Sequence, residues 1–470
     1  MYVNLQELLE EDLQKFGDKD YVFEKRDGVY TPIKFGGFIF KARALATKLI
    51  NDGLMGQRIM LIGKNSVNIM IADTAITAYT GICASINAST VAEDLEGFIE
   101  NVGIKAVLYG SDQAEKIASL KNDVIKMNID EVIPQVNEVG TEFKPYNFEE
   151  CAKIVFTGGT TSKPKGVMLS YKNMFYGWPY LQRRTKFYDT DIMYMFLPLH
   201  HTYADLYMFY YSFFSGLTLY LCSDTAKIGE EVREIRPTIF CAVPLVYERI
   251  AEAYHNDVHE AFGDRIRFLF AGGAPIKEEL KQVYKNCGFE ILNAYALSET
   301  ASSFAVSYPG DTEEDDVGAV YEDLDVKFID IDENGAGEIC VKGDCVFLGY
   351  TNGDTDYLTE DGYFKTGDLG YIKNGKLFVT GRKKKVLIGS NGENIYPDDL
   401  LAKIKDMDSN VNFVRFSIQD DQLHAEFYLA EADKTNLAEL VEKFNNESTK
   451  KDHIISYELS AKKNNEKLMG

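Results

Sequence analysis

The first 150 residues alternate between two spacings of apolar side chains. From Phe38 to Asp52 the apolar positions recur at helical spacing, and Arg58 to Ile62 follows as a short apolar run closed by Gly63 and Asn65. Val67 to Thr80 again reads as helix. Gly81 to Ile86, with its Cys and Ala, reads as a tight buried strand, and a second pair follows, helix Val91 to Val102 and strand Ala106 to Tyr109. Helices alternating with fully apolar short strands predict an α/β chain with a largely parallel sheet covered on both faces. Ligands of such open sheets sit at the carboxyl ends of the strands, so the loops leaving those ends are where chemistry is expected.

Further along, Met193 to Leu221 (MYMFLPLHHTYADLYMFYYSFFSGLTLYL) is unusually aromatic. It predicts a strand, a buried helix and a second strand, most of it ordinary core. Part of that helix could also wall an apolar pocket. Each methylene a ligand buried there would contribute about 0.8 kcal/mol, so four extra carbons correspond to roughly two hundred-fold in preference. Pro237 to Val243, Arg267 to Ala271 and Glu290 to Asn293 read as further strands. His255 and His259 fall four residues apart, on what reads as helix surface, with no zinc-type third ligand. The run Asp311 to Asp316 (DTEEDD) reads as a solvated loop, and the last 85 or so residues alternate as a small α/β unit.

Composition narrows the partners. Lys and Arg number 50 and Asp and Glu 73, a net charge of −23, which argues against nucleic acid and anionic membranes as general partners. The charge is unevenly placed: residues 382–470 carry 14 basic and 16 acidic side chains, so nearly all the excess lies in the first 381. The seven cysteines are scattered without CxxC pairs, as expected of reduced thiols in a cytoplasmic protein. The acidic, amphipathic start MYVNLQELLEEDLQKFG is no signal peptide, and no stretch of about 20 residues is apolar enough to span a bilayer.

The chemistry concentrates in Phe156 to Ser170, FTGGTTSKPKGVMLS. Gly158, Gly159 and Gly166 let backbone amides approach an anion, Thr157, Thr160, Thr161 and Ser162 offer hydroxyls, and Lys163 and Lys165 add charge. Polyphosphate is the natural ligand. A Walker-type loop needs GxxxxGK[ST], and no GK[ST] occurs here.

This stretch resembles the phosphate-binding signature YTSGTTGxPKGV of the adenylate-forming superfamily, which includes acyl-CoA synthetases, luciferases and peptide-synthetase adenylation domains. Gly158 replaces the usual Ser or Thr and Ser162 the usual Gly. Further motifs follow in the family's order. LPLHHTYA is similar to the family's LPLFH, and the resemblance places His201 beside the reacting carboxylate, with His200, Tyr207 and Leu297 in the acyl pocket; the two histidines could equally be a hydrogen-bonded core pair. AGGAPI resembles the backbone strip beside adenine and the acyl chain, Gly272, Gly273, Ala274 and Pro275. NAYALSETAS is similar to the family's YGxTE: Ala294 and Ala296 flank Tyr295, which would stack on adenine, Ser298 would touch the α-phosphate, and Glu299 would ligate Mg²⁺. VGAVYEDLDVKFID and GEICVKGDCVFLGY match two more family segments. In GYFKTGDLGYI the resemblance gives Asp368 the ribose hydroxyls, and in VTGRKKKVLIG it gives Arg382 ribose or phosphate and Lys384 the hinge. The family's final PKTxxGKxxR is degenerate here. Lys467 aligns by spacing as the catalytic lysine, with Lys462 and Lys463 nearby.

The resemblance implies a large N-terminal domain of mixed and parallel sheets with packed helices, residues 1–381, and a small mobile α/β domain, 382–470. It closest resembles the bacterial long-chain fatty acyl-CoA synthetases. It also implies a two-step reaction: an apolar, fatty carboxylic acid is joined to AMP from ATP with pyrophosphate release, then passed to a thiol, that of CoA or of a carrier protein's phosphopantetheine. The peptide-synthetase FDxS, whose Asp clamps an amino group, is absent around 198–206, which argues against amino-acid substrates. Gly158 and the degenerate C-terminal signature leave a third reading, a non-catalytic adenylate-binding homologue.

Overall fold

The computed structural model describes residues 4–140, 142–157, 165–301, 303–333, 335–383, 387–388, 394–395, 397–419, 422–431, 434–448 and 453–460. Contacts divide the chain into two compact units. The first comprises 1–326, 341–364 and 372–378, and the second 327–340, 365–371 and 379–470.

The larger unit contains the parallel sheet that the apolar runs predict. Its strands lie in the order Gly349–Tyr350, Lys165–Ser170, Cys151–Thr157, Ile82–Ile86, Arg58–Ile62, Ala106–Tyr109 and Ile125–Asn128. The last five run parallel, and the Lys165–Ser170 strand turns antiparallel against Cys151–Thr157. Helix Ala92–Val102 covers this sheet with Leu95, Phe98, Ile99 and Val102, which pack with Met60, Ala84, Val107 and Ile154. That helix stops where Gly103 takes a left-handed turn (φ 71°), which glycine adopts without steric cost.

A second sheet of the larger unit is ordered Val29–Lys34, Asp20–Arg26, Thr218–Leu221, Ile192–Met195, Ile239–Ala242, Phe268–Ala271, Ile291–Ala296, Ser303–Val306 and Asp316–Val320. Its middle is parallel, and from Ile291–Ala296 to Asp316–Val320 it runs antiparallel. The expected strands at 237–243, 267–271 and 290–293 are present. The last is longer than its apolar run suggests and carries Ala294, Tyr295 and Ala296 within it.

Two expected helices change pitch. Val67–Thr74 is α-helical, capped by the Ser66 hydroxyl on the Ile69 amide, and the chain then widens into a π-helix, Ala75–Thr80. The aromatic segment does the same. After strand Ile192–Met195 it forms a π-helix, Tyr203–Tyr210, continued by an α-helix, Tyr211–Ser215. π-Turns are uncommon and cluster at functional sites. Both are buried almost all round, polar Thr77, Thr80 and Asp205 included, so no exposed polar face marks their pitch in the sequence.

Two surface readings are corrected. His255 is not on helix surface: it follows helix Pro244–Ala253 in a left-handed conformation (φ 50°), while His259 lies on a separate short helix, Val258–Phe262, and pairs with Asp264 at 2.9 Å. The four-residue spacing therefore does not place both on one face. Nor is the acidic run wholly solvated. Asp316 is fully buried at the start of its strand, and it accepts from the Gly318 amide at 2.8 Å. Lys376 reaches in beside it, 2.7 Å from Asp311 and 3.2 Å from Glu313.

The second unit ends in a three-stranded sheet, Val411–Gln419 and Gln422–Leu429 antiparallel, with Ser456–Leu459 parallel to the latter. Helices Pro397–Met407 and Leu437–Asn446 close its core, in which Leu400, Ile404, Val414, Phe427, Leu440 and Phe444 pack together. This is the small α/β unit its sequence predicts.

Candidate active site

The phosphate-loop motif sits on an antiparallel pair. Thr157 opposes Lys165 and Phe156 opposes Gly166, which brings the two ends of segment 158–164 together. Gly158, Gly159, Thr160, Thr161, Ser162 and Lys163 lie outside the described residues. Gly166 is required by a close approach: a Cβ there would stand 2.8 Å from both Ile154 and Thr351. Thr351 fixes the loop's exit in both directions, its hydroxyl accepting from the Gly166 amide at 3.2 Å and its own amide donating to the Gly166 carbonyl at 2.9 Å.

The segment 347–351 also holds the YALSE motif. The Phe347 amide donates to the Glu299 carbonyl at 2.9 Å, and the Tyr350 hydroxyl donates to Glu299 Oε1 at 2.7 Å. Tyr350 pairs with Val167 and Gly349 with Met168 across the adjacent strand. One short strand thus ties the base of the glycine-rich loop to the carboxylate expected to serve it. Burial, then the Glu299 charge, push the Tyr350 phenol well above its ordinary range, so it stays a hydrogen-bond donor. Glu299 itself lies in a single 3₁₀ turn, Ser298–Thr300, followed by Ala301 at φ 59° and fully buried. A non-glycine residue held there costs about 1–3 kcal/mol and persists only where the surroundings over-determine it.

Tyr350 and Thr351 were not singled out from the sequence. Their signal was the GY that ends the GEICVKGDCVFLGY segment, whose role is visible only once the strands pair. Replacing Tyr350 with Phe removes the donor to Glu299 while keeping the ring packing on Phe347 and Tyr357. The loss of a hydrogen bond to a charged group is worth about 1.5–3 kcal/mol. We expect the turnover of Tyr350→Phe to fall about tenfold or more with little change in melting temperature; an unchanged turnover number contradicts this role.

Gly272, Gly273, Ala274 and Pro275 follow strand Phe268–Ala271, with Gly272 buried and the next three exposed. A Cβ on Gly272 would lie 3.3 Å from the Tyr203 ring and 3.5 Å from the Ala294 carbonyl. The strip thus runs between the π-helix and the strand carrying Ala294 and Tyr295. Tyr295 is half-buried and meets Phe304 edge-on at 5.0 Å, and Ala296 is exposed where a bulge interrupts the pairing. Leu297 and Ser298 are half-buried.

His200 and His201 lie just before the π-helix with ring centroids 4.1 Å apart and tilted by 44°. Burial, then the neighbouring His201, hold His200 down at about 3; His201 is exposed at its surface, yet the protein crowded around its ring lowers it also, so both rings are neutral near pH 7. His200 Nε2 and the buried Tyr207 hydroxyl have no hydrogen-bond partner among the described residues. The alternative of a mutually hydrogen-bonded pair is not what the rings form. Most of the aromatic helix is core, as expected: Leu206, Tyr207, Met208, Phe209 and Tyr210 are all buried.

In the second unit, Asp368 is buried on the strand Phe364–Lys373, and its amide donates to the Thr366 hydroxyl at 3.1 Å. Arg382 Nε lies 2.8 Å from Asp368 Oδ1, an ion pair between the two side chains. Asp368, to which the resemblance gives the ribose hydroxyls, and Arg382, to which it gives ribose or phosphate, therefore meet. Lys384, Lys462, Lys463 and Lys467 lie outside the described residues.

Among the described residues no group of three His, Cys, Asp or Glu side chains could hold a metal by itself. Glu299 suits Mg²⁺ in the other way that ion is bound, through one carboxylate completed by substrate phosphates and water. Tyr350 engages its Oε1.

A family model described as AMP-binding enzyme matches residues 9–351, from the first helix through Thr351. This chain belongs to the AMP-binding enzymes. The ordered motifs on its larger unit are those of that adenylate-forming family. Among known proteins, it is 24% identical over 467 residues to the peroxisomal long chain acyl-CoA synthetase 6 of Arabidopsis thaliana, a match covering 82% of this chain and 66% of that protein. It is 25% identical over 456 residues to the long-chain-fatty-acid–CoA ligase FadD15 of Mycobacterium tuberculosis, covering 81% of this chain and 74% of that one. The chain thus spans about two thirds of the length of the plant relative.

Solved structures give the same fold. ATP-bound MatB from Rhodopseudomonas palustris superposes with a TM-score of 0.82 at 23% identity, over 98% of this chain and 95% of the other. The o-succinylbenzoate coenzyme A synthetase MenE of Bacillus subtilis, in complex with AMP, also gives 0.82, at 21% identity over 97% and 94%. Fold class is therefore that of the adenylate-forming synthetases, a large α/β body with a small C-terminal domain.

Proposed function

We propose that this AMP-binding enzyme is an acid–thiol ligase that activates an apolar, fatty carboxylic acid as its adenylate and transfers the acyl group to CoA. The observation that carries this reading is the coincidence of the family match over 9–351 with Glu299, held by Tyr350 beside the base of the glycine-rich loop. Relatives named as long-chain fatty acid CoA ligases support the acid class.

In the first step, the acid's carboxylate attacks the α-phosphorus of ATP and pyrophosphate leaves. The obstacle is that an anion must approach a polyanion. Backbone amides and Lys163 and Lys165 of the loop, Ser298 on the α-phosphate, and Lys467 on the C-terminal domain are the groups proposed to spread that charge. Mg²⁺, held by Glu299, supplies neutralisation of the phosphates. Tyr295 stacks on adenine beside the strip Gly272–Pro275, and Asp368 takes the ribose hydroxyls, with Arg382 orienting it. His201, neutral near pH 7, borders the reacting carboxylate without adding a second negative or positive charge. His200 Nε2 and the Tyr207 hydroxyl, buried without partners among the described residues, offer hydrogen bonds toward the acid.

In the second step, the thiolate sulfur attacks the acyl carbonyl, the C–S bond forms and AMP departs with its bridging oxygen. We place the hinge at Lys384, between a body of 1–381 and a lid of 382–470 that exchanges Lys467 for the thiol. One residue's backbone change is sufficient for such a rotation. We place the protein in the cytoplasm, where its seven free thiols would stay reduced.

The test is pyrophosphate release across short, medium, long and aromatic acids, followed by product analysis with CoA or with a phosphopantetheinylated carrier as thiol. The expected result is acid-dependent release highest with long apolar acids, and thioester with CoA alone. Thioester formed only on the carrier assigns the protein to acyl-AMP ligases that load carriers. No release with any acid leaves the non-catalytic reading.

A further inference from the structure

Beneath the candidate site lies a cluster of charge that the chemistry above does not use. Lys153 sits in strand Cys151–Thr157, four residues before Thr157, and is completely buried. Its ammonium lies 2.8 Å from Asp73 and also pairs with Asp205. Asp73 and Asp205 are 3% and 1% exposed, so all three charges are out of water. Asp73 also accepts from the Tyr210 hydroxyl at 2.5 Å and from Thr77 at 3.3 Å, while Lys153 lies 4.7 Å from the Tyr210 ring centre. Asp205 Oδ1 has no partner among the described residues.

These groups come from the elements that serve the two substrates. Lys153 is on the strand that enters the phosphate loop. Asp205 is two residues before Tyr207 on the π-helix that follows His200 and His201, and its amide donates to the His201 carbonyl at 2.9 Å. Asp73 is the penultimate residue of the α-helix that continues as the other π-helix. Three buried charges are weak evidence for stability, because apolar replacements of the same volume are often as stable. A directional, fully buried ion triad does, however, fix the relative placement of the elements it joins.

We propose that Lys153, Asp73 and Asp205 are positioning residues that hold the strand entering the phosphate loop in register with the helix bearing the acid site, so that carboxylate and α-phosphorus meet in line. This rests on the acid-activating reading above. Misalignment by about 1 Å can cost on the order of 10² in rate without either substrate being lost. The first half-reaction needs that alignment. The second does not, because acyl group and AMP are then already joined in one molecule.

The readable variant is Asp205→Asn, which keeps the shape and an acceptor for Lys153. Lys153→Met strands two carboxylates and can fail to fold, so Asp73→Asn serves as the second variant. Kinetic constants are taken per active site, by titration of folded protein. We expect ATP–pyrophosphate exchange to fall 10- to 100-fold in kcat, with KM for ATP and for the acid each within about threefold of wild type. Thioester formation from supplied acyl adenylate stays within the same threefold. Both half-reactions unchanged, or both reduced equally, overturn the proposal. Exchange absent from the wild type as well would instead sink the acid-activating reading, so the two failures are distinct.

A pH readout adds to this. Burial, offset by Lys153 and reinforced by Asp73, raises the Asp205 carboxyl to about 7. The titratable groups around it are Lys153 on the strand, Asp73 on the helix, Cys83 on the Ile82–Ile86 strand and Tyr210 on its own helix. A carboxyl raised on folding binds more protons in the folded state, so its contribution is present at low pH and is lost as pH rises from about 4 to about 7. Wild type should therefore lose melting temperature relative to Asp205→Asn between pH 5 and 8. Parallel pH curves for the two proteins contradict the buried, titrating carboxyl.

Discussion

Glu299→Gln is expected to lower acid-dependent pyrophosphate release by about 10² to 10³, the cost of losing one preorganised charge-stabilising group at the transferring phosphorus. The substitution is informative because the fold should barely register it. A glutamine oxygen still accepts from the Tyr350 hydroxyl, and the Glu299 carbonyl keeps the Phe347 amide. What is lost is the negative charge proposed to hold Mg²⁺ on the triphosphate. Raising the Mg²⁺ concentration should therefore recover part of the activity in Glu299→Gln and none in Tyr350→Phe, where the carboxylate remains. Activity within twofold of wild type, measured by pyrophosphate release at saturating ATP, would remove Glu299 from the chemistry.

Lys467→Ala is expected to slow adenylation by a similar factor, about 10² to 10³, through loss of one ammonium at the pentavalent phosphorus. Its diagnostic feature is asymmetry between half-reactions. Thioester formation from supplied acyl adenylate should be nearly unaffected, because in that step the lysine is proposed to have moved away. Lys462→Ala and Lys463→Ala serve as comparisons. If one of them shows the asymmetry and Lys467→Ala does not, the assignment passes to that lysine. Equal loss in both half-reactions would refute a lysine that acts in the first step alone.

The apolar runs at 58–62, 82–86 and 106–109 were legible as strands because a fully buried parallel strand has few other sequences available to it. Motif order was legible for a related reason: glycine, hydroxyl and lysine at fixed spacing have one evident ligand, polyphosphate. The pitch of the helices was not, since a turn buried on every side carries no polar face whose spacing could distinguish π from α. Asp316 escaped because a run of acids usually marks solvent, whereas this one is satisfied in the interior by the Glu313 and Gly318 amides, with Lys376, 60 residues away in sequence, 3.9 Å off. Lys153 is the sharper case. A lysine amid an apolar strand reads as an edge residue, and its partners stand 80 and 52 positions away. Ion pairs at such separations are set by tertiary packing, which local pattern does not encode. Tyr350 ends a recognised motif and Thr351 follows it directly, yet their task of joining the loop to Glu299 depends on strand pairing.

The most direct measurement is the fate of oxygen from the acid. With a carboxylate labelled with ¹⁸O on both oxygens, incubated with ATP, Mg²⁺ and CoA, attack on the α-phosphorus must leave one labelled oxygen in AMP after the thiol displaces it. Labelled AMP, one ¹⁸O per thioester formed, is the predicted result. Label recovered in inorganic phosphate together with ADP, or unlabelled AMP released without thioester, would contradict the acyl adenylate and every role assigned around it.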